Sequence, residues 1–150
     1  MKMVIQRVSS ARIRVDGEEK AAIGAGLLLL VGIEHGDGSD QVEWAADKVA
    51  HLRIFPVDRG VDDRMDRSVL DIGGGILVVS QFTLAGSMRK GRRPSFDGAA
   101  PPEEAEALYL SFVEALKTTG ARVSTGVFRA MMEVDLVNDG PVTFVLESPR

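Results

Sequence analysis

Two apolar runs, each entered through glycines, constrain this fold more than any other feature. Gly24-Ala25-Gly26 leads into residues 27–33, and Gly73-Gly74-Gly75 into residues 76–82. An apolar run of strand length without polar alternation belongs to a strand covered on both faces. Both runs therefore read as buried, central strands. The longest unbroken stretch, Leu27 to Val31, falls far short of the roughly 20 residues a membrane helix needs. With 150 residues the chain makes one domain. Such a domain buries roughly two-thirds of its unfolded surface without a disulfide or metal staple.

Other elements follow from periodicity and punctuation. Val4, Gln6 and Val8, then Ala11, Ile13 and Val15, alternate with their neighbours as a strand does, with Ser9-Ser10 as an irregularity. Asp16-Gly17 signals a hairpin turn into a short strand at 20–23. Asp40 and Glu43 have capping-box spacing, and Val42, Ala45, Ala46, Val49 and Leu52 follow at helical spacing, predicting a helix that ends near His51. Residues 52–55 read as a strand and 56–67 as a charged loop. A second helix is expected from Pro102 to about Thr119, opened by Glu103-Glu104 and closed by Gly120. Its buried stripe is Leu108, Phe112, Val113 and Leu116. Three last strands are expected at 123–128, 131–137 and 142–147. The sum is a mixed α/β domain.

The chemistry available is narrow. There is no cysteine, only two histidines (His35 and His51), and one asparagine, Asn138. Thiolate nucleophiles and cysteine metal ligands are excluded. The histidines lie sixteen residues apart, without metal-ligand spacing, so neither a metal nor a cofactor is expected. Gly86 to Gly91 has the glycine spacing of a phosphate loop, but Arg92-Arg93 follows where that loop requires Lys-Ser/Thr. Gly24-Ala25-Gly26 lacks the third glycine of a dinucleotide fingerprint. No Gly-x-Ser-x-Gly elbow occurs. The N-terminus shows no apolar leader, and a cytoplasmic protein with no membrane partner is expected. The net charge of −4 argues against a broad nucleic-acid surface, yet residues 89–93 carry four positive charges and no negative one. That strip lies within a long polar stretch, 83–100, and loops of this length are usually functional.

Two short motifs remain. Ser80-Gln81-Phe82-Thr83-Leu84 closes the second apolar run, and Asn138-Asp139-Gly140-Pro141-Val142-Thr143 lies near the C-terminus. Each alone is ordinary strand-end or turn chemistry. In this order, and at this length, they resemble the signature motifs of the D-aminoacyl-tRNA deacylases, formerly called D-tyrosyl-tRNA deacylases. Gln6-Arg7-Val8, Asp47-Lys48, residues 52–55, 65–70 and 89–96, and Ala100-Pro101-Pro102 extend the resemblance over nearly the whole chain. The chain departs from the family pattern at Arg129, where glycine is usual. It departs again at Ala85-Gly86-Ser87, where a tyrosine-alanine-aspartate run is common.

The resemblance implies a three-layer β/β/α domain with two main helices, dimerising through its sheets. It implies hydrolysis of the ester in D-aminoacyl-tRNA and glycyl-tRNA, a chiral proofreading step at the acceptor end. Backbone amides of Phe82 and Thr83 would stabilise the oxyanion. A Thr83 nucleophile would need a base, and none stands nearby in sequence. The family's picture leans instead on the 2′-hydroxyl of the substrate RNA. Ser80, Gln81, Phe128 and Met131 would bind substrate. A cis Gly140-Pro141 bond would enter the partner subunit's pocket and exclude L-amino acids. Arg7 and Asn138 would support that motif, and Arg89, Lys90, Arg92 and Arg93 would contact tRNA. Two other readings remain open: an editing module with a different aminoacyl preference, and a tRNA-binding module without catalysis.

Overall fold

The computed structural model describes every residue except Lys90 and Arg150. Strand β1 (Lys2–Val15) turns through Asp16-Gly17 into β2 (Glu18–Ile23), and β3 (Gly26–Gly32) follows. Helix α1 (Ser39–His51) leads to the hairpin β4 (Phe55–Asp58) and β5 (Asp62–Arg67). Then come β6 (Gly75–Ser80), a one-turn 3-10 helix (Phe82–Ala85), helix α2 (Pro102–Thr118), β7 (Arg122–Thr125) and β8 (Glu133–Glu147). The main sheet runs β2-β1-β3-β6-β7, with β8 on the other edge of β1. β3 and β6 pair in parallel at its centre, as their unbroken apolar pattern requires.

The two faces of the sheet hold two apolar clusters. On one face Leu27, Leu29, Val31, Ile76 and Val78 meet Val42, Ala45 and Val49 of α1 and Tyr109, Phe112, Val113 and Leu116 of α2. On the other, Leu28, Leu77 and Val79 meet Val8, Ala11 and Ile13, with Ala21, Ile23 and Val134 packed against them. One sheet therefore supplies both β layers by curling toward a barrel, and the helices form the third layer. The expected α/β class with two main helices holds.

Several local expectations are corrected. Near its start β1 buries Met3, Ile5, Arg7 and Val8, and leaves Val4 and Gln6 half-buried. The frame then changes, because pairing with β8 is irregular between Gln6 and Val8 and between Val8 and Ser10. Arg7 and Val8 face opposite covered sides of the sheet, in unbroken register with β3, and the bulge then brings Ala11 and Ile13 to the face of Val8. Residues 56–67 are not a loop but most of the β4–β5 hairpin. This ribbon is exposed on most of its surface, so it carries no apolar alternation to reveal it. The 123–128 strand stops at Thr125, and the two expected strands at 131–137 and 142–147 are one continuous strand, β8. Helix α1 is capped at Gly38, whose N–H donates to Gln41 Oε1 at 2.9 Å, instead of by Asp40 and Glu43. In α2 it is Tyr109 that is buried, with Leu108 half-buried.

The central pair approaches closely. A Cβ at Gly26 would lie 1.9 Å from the Gly75 carbonyl oxygen, whereas one at Gly24 would meet nothing within 4 Å. Gly26→Ala should therefore push β3 from β6 and destabilise the fold by roughly 3 kcal/mol or more, with Gly24→Ala within about 0.5 kcal/mol of the parent. Urea unfolding of the two variants checks this. Equal stability would contradict the packing.

Candidate active site

The site forms where β6 runs out. The Gln81 N–H donates to the Val31 carbonyl at 2.7 Å, carrying the β3–β6 ladder one residue past the strand. The backbone then tightens into the 3-10 turn, held by Leu84 N–H to Gln81 O at 3.2 Å and Gly86 N–H to Thr83 O at 3.0 Å. A helical turn leaves its first amides without intrahelical acceptors. Here those are Phe82 and Thr83, and neither amide has a partner among the described residues. The Phe82 side chain is 57% exposed and stacks on Phe96 with ring centroids 5.1 Å apart. The Thr83 hydroxyl accepts from Gln81 Nε2 at 2.5 Å. An amide cannot take a proton from a hydroxyl, so this contact does not activate Thr83 as a nucleophile.

A cleft of about 880 Å³ opens over this turn. Ser80, Gln81, Phe82 and Thr83 form one wall, and residues 128–132 form the facing one. The structure thus brings together all six expected catalytic and substrate-binding residues: Ser80, Gln81, Phe82, Thr83, Phe128 and Met131. Phe128 lies 5.6 Å from the Tyr109 ring and packs on the core while lining the cleft. Met131 also lines it and is 90% exposed. The wall carrying Phe128 follows β7, which pairs with β6, and the Val78 carbonyl extends that tie. Val78 O accepts from Gly126 N–H and from the Tyr109 hydroxyl, both at 2.9 Å.

The second motif does not line this cleft. Gly140 and Pro141 are exposed, and the bond joining them is cis. Their neighbours are firmly held. Asn138 Nδ2 donates to the carbonyls of Arg7 (2.9 Å) and Val142 (3.0 Å), and its Oδ1 accepts from Val142 N–H at 3.3 Å. Arg7, only 9% exposed, donates from Nε to the Asp139 carbonyl at 2.8 Å and from a terminal nitrogen to the buried Ile54 carbonyl at 2.6 Å. A guanidinium suits this task because its rigid fork serves two acceptors at once. Arg59, on the β4–β5 turn, pairs with both oxygens of the Asp139 carboxylate. That hydrogen bond holds the Asp139 carboxyl below the usual carboxylate range, with the Arg7 charge adding to it.

Arg89, Arg92 and Arg93 are exposed and outside the cleft lining. Lys90 lies outside the described residues. Among the described residues no group of three His, Asp or Glu side chains is placed to hold a metal ion. His35, Phe96, Pro101 and Pro102 line the cleft without having been singled out as lining residues from sequence, and Arg129 lines it within the 126–132 segment that the resemblance places at the terminal adenosine. Folding alone brings His35 there, since it is far from Ser80 along the chain.

The sequence model of the family described as D-Tyr-tRNA(Tyr) deacylase matches residues 4–147. The chain belongs to the D-aminoacyl-tRNA deacylase family. A D-aminoacyl-tRNA deacylase of Geobacter metallireducens is 57% identical over 150 residues, covering 100% of this chain and 97% of its own length. One of Thermomicrobium roseum is 57% identical over 148 residues, covering 99% and 94%. The solved structure of a c-Myc DNA unwinding element binding protein superposes with a TM-score of 0.92 at 43% identity, covering all of both chains. That of a probable eukaryotic D-amino acid tRNA deacylase shares the fold, with a TM-score of 0.82 at 18% identity over 97% of each chain. The chain is thus a hydrolase of the deacylase family, and D-aminoacyl-tRNA deacylation is its chemistry.

The deacylase site also offers a clean titration. Burial pushes the Tyr109 phenol up to about 12, and Tyr109 is the chain's single tyrosine. An unfolded phenol titrates near 10. The folded state then holds the proton more tightly, so this contribution is complete below pH ~10 and is lost as pH rises to about 12. Absorbance of the phenolate should report a midpoint near 12 in the native protein. Tyr109→Phe should flatten the alkaline loss of stability in that window. It should cost only about 1 kcal/mol at neutral pH, because the Val78 carbonyl keeps its Gly126 donor. A native midpoint at the unfolded value would refute the burial argument.

Proposed function

We propose that the chain works as a cytoplasmic homodimer that removes D-amino acids and glycine from tRNA while sparing L-aminoacyl esters. The carrying observation is the separation of the two motifs. The turn at Phe82-Thr83 faces a cleft, and the 138–142 motif is anchored at an exposed position outside it. Beside that motif β8 exposes Leu136, Val137, Phe144 and Val145. A second copy covering these side chains would remove apolar surface from water. It would also carry Gly140 and Pro141 of the partner subunit toward the open cleft.

The chemistry assigned to the cleft is that of a preorganised backbone. The ester carbonyl sits against the Phe82 and Thr83 amides, which need no reorganisation as charge develops on its oxygen. Ser80 and Gln81 orient the aminoacyl group. Phe128 and Met131 hold the terminal adenosine, as apolar and aromatic side chains hold unstacked RNA bases. The substrate's own 2′-hydroxyl assists hydrolysis in place of a protein nucleophile. Arg89, Lys90, Arg92 and Arg93 contact phosphates of the acceptor end. Selectivity is steric: a fixed backbone wall at Gly140-Pro141 leaves no room for an L side chain, and glycine passes because it has none. Arg7 and Asn138 keep that wall in place.

Single-turnover hydrolysis of D-tyrosyl-, L-tyrosyl- and glycyl-tRNA tests this reading. D-tyrosyl and glycyl esters should be cleared, with the L ester slower by at least about 100-fold, or nearly 3 kcal/mol in barrier. Equal rates for D and L would defeat the selectivity assignment. Thr83→Ala should retain activity within about tenfold, whereas loss of about three orders of magnitude with the fold intact would restore the nucleophile.

Light scattering tests the assembly. The parent should have twice the chain mass, and the pair Val137→Glu and Val145→Glu should be monomeric and inactive. A monomeric parent with full activity would rule out donation across a dimer.

A further inference from the structure

Arg129 combines three features that the proposed chemistry leaves unused. Its φ is +63°, in the left-handed region that residues with a Cβ avoid. The other described non-glycine residue with positive φ is Asp16, which the Asp16-Gly17 hairpin turn explains. Arg129 too sits in a hydrogen-bonded turn, closed by Ala130 N–H to Val127 O at 3.2 Å, but the left-handed position of such a turn favours glycine and not an arginine. Arg129 also lines the cleft, and it contributes the single formal charge there, since neither a lysine nor any Asp or Glu belongs to the lining. Finally, among the described residues its guanidinium forms neither a salt bridge nor a hydrogen bond. A strained residue that persists at a site is a reason to look for a function.

We infer that Arg129 is a substrate-positioning residue whose guanidinium binds a backbone phosphate of the single-stranded RNA end entering the cleft. The inference rests on tRNA being the substrate. A lone arginine in an otherwise uncharged, largely apolar cleft meets little competition from protein carboxylates. Its attraction for a phosphate is therefore stronger there than on the open, acidic surface of this chain. Planar donors match phosphate oxygens in pairs. The left-handed backbone places this residue at the rim beside Phe128 and Met131, the proposed adenosine contacts. The base and its phosphate would then be held by neighbouring residues of one turn. The contact is ground-state positioning, so it acts on KM and not on the chemical step.

The test compares the parent with Arg129→Gly and Arg129→Lys in steady-state hydrolysis of D-tyrosyl-tRNA across a salt series. Glycine accepts positive φ freely, so relief of strain offsets its greater freedom in the unfolded chain. Arg129→Gly should therefore melt at the parent's temperature or above it. It should raise KM about five- to tenfold at low salt with kcat within about twofold. It should also make the salt dependence of log kcat/KM shallower by about 0.7, the increment for one single-strand phosphate. Arg129→Lys should restore the salt slope and part of the affinity. Unchanged KM and slope in Arg129→Gly would overturn the inference, as would a fall in kcat with KM unaltered. A parent that fails to hydrolyse D-tyrosyl-tRNA would overturn the functional reading itself, and this inference with it.

Discussion

The parallel pairing of β3 and β6 is the contact on which the rest of this molecule depends. It requires a glycine at Gly26, where the strands enter, because a Cβ there would lie 1.9 Å from the Gly75 carbonyl oxygen. Beyond that point the pairing runs to Val31 and Ser80. The 3-10 turn at Phe82 starts two residues later, still tied to the ladder through Gln81. The unpaired amides of Phe82 and Thr83 are thus held by the most buried part of the sheet. The opposite wall of the cleft depends on the same strand. Val78 O receives the Gly126 amide from one side and the Tyr109 hydroxyl from the other. One carbonyl of β6 therefore links helix α2, the sheet and the loop that carries Phe128. Movement of any of the three would alter the width of the cleft.

The second motif obeys a different logic. It stands on no central strand, and its support is a buried cation. Burying a guanidinium is costly unless its donors find acceptors. Arg7 finds them in the carbonyls of Asp139 and Ile54, with the Asp139 carboxylate 3.4 Å from Nε. Its burial also marks the place where β1 changes frame, because the bulge that inverts the strand's faces begins beside it. The irregularity and the anchor are one feature. Without the bulge, alternation would carry Ala11 and Ile13 to the face of Met3 and Ile5 instead of joining them to Val8.

Legibility in the sequence tracked the amount of burial. The two central strands and both helices were readable because their apolar periodicity is set by cover on one or both sides. The phase of β1 was not, because a bulge breaks the alternation that reading it requires. The β4–β5 ribbon was invisible for the opposite reason: both its faces are largely wet, so Asp58, Asp62 and Arg64 leave no pattern. The continuity of β8 was hidden by Asn138 to Pro141, residues that ordinarily end a strand. In the site, Ser80 to Thr83 was readable as a strand end and Phe128 as an apolar contact. His35 and Phe96 were not placed in the cleft, since only the fold joins segments so distant in sequence.

Composition takes on a different meaning once these parts are in place. A chain with no cysteine and two histidines looked poorly equipped for catalysis. On the proposed reading the cleft needs little of that equipment, because the Phe82 and Thr83 amides are aimed from a rigid turn and most of its lining is apolar. Such a lining strengthens each dipole it contains by excluding water. It also makes the position of every charge matter. The chain carries a net −4, with Arg89, Arg92 and Arg93 outside the cleft and Arg129 on its lining. On the proposed reading, an acidic body would repel the length of a polyanion, while these few cations would attract its tip. That division favours brief contact with one RNA end over retention of the whole molecule, which is what a proofreading hydrolase requires if it is to release each tRNA after the ester is gone.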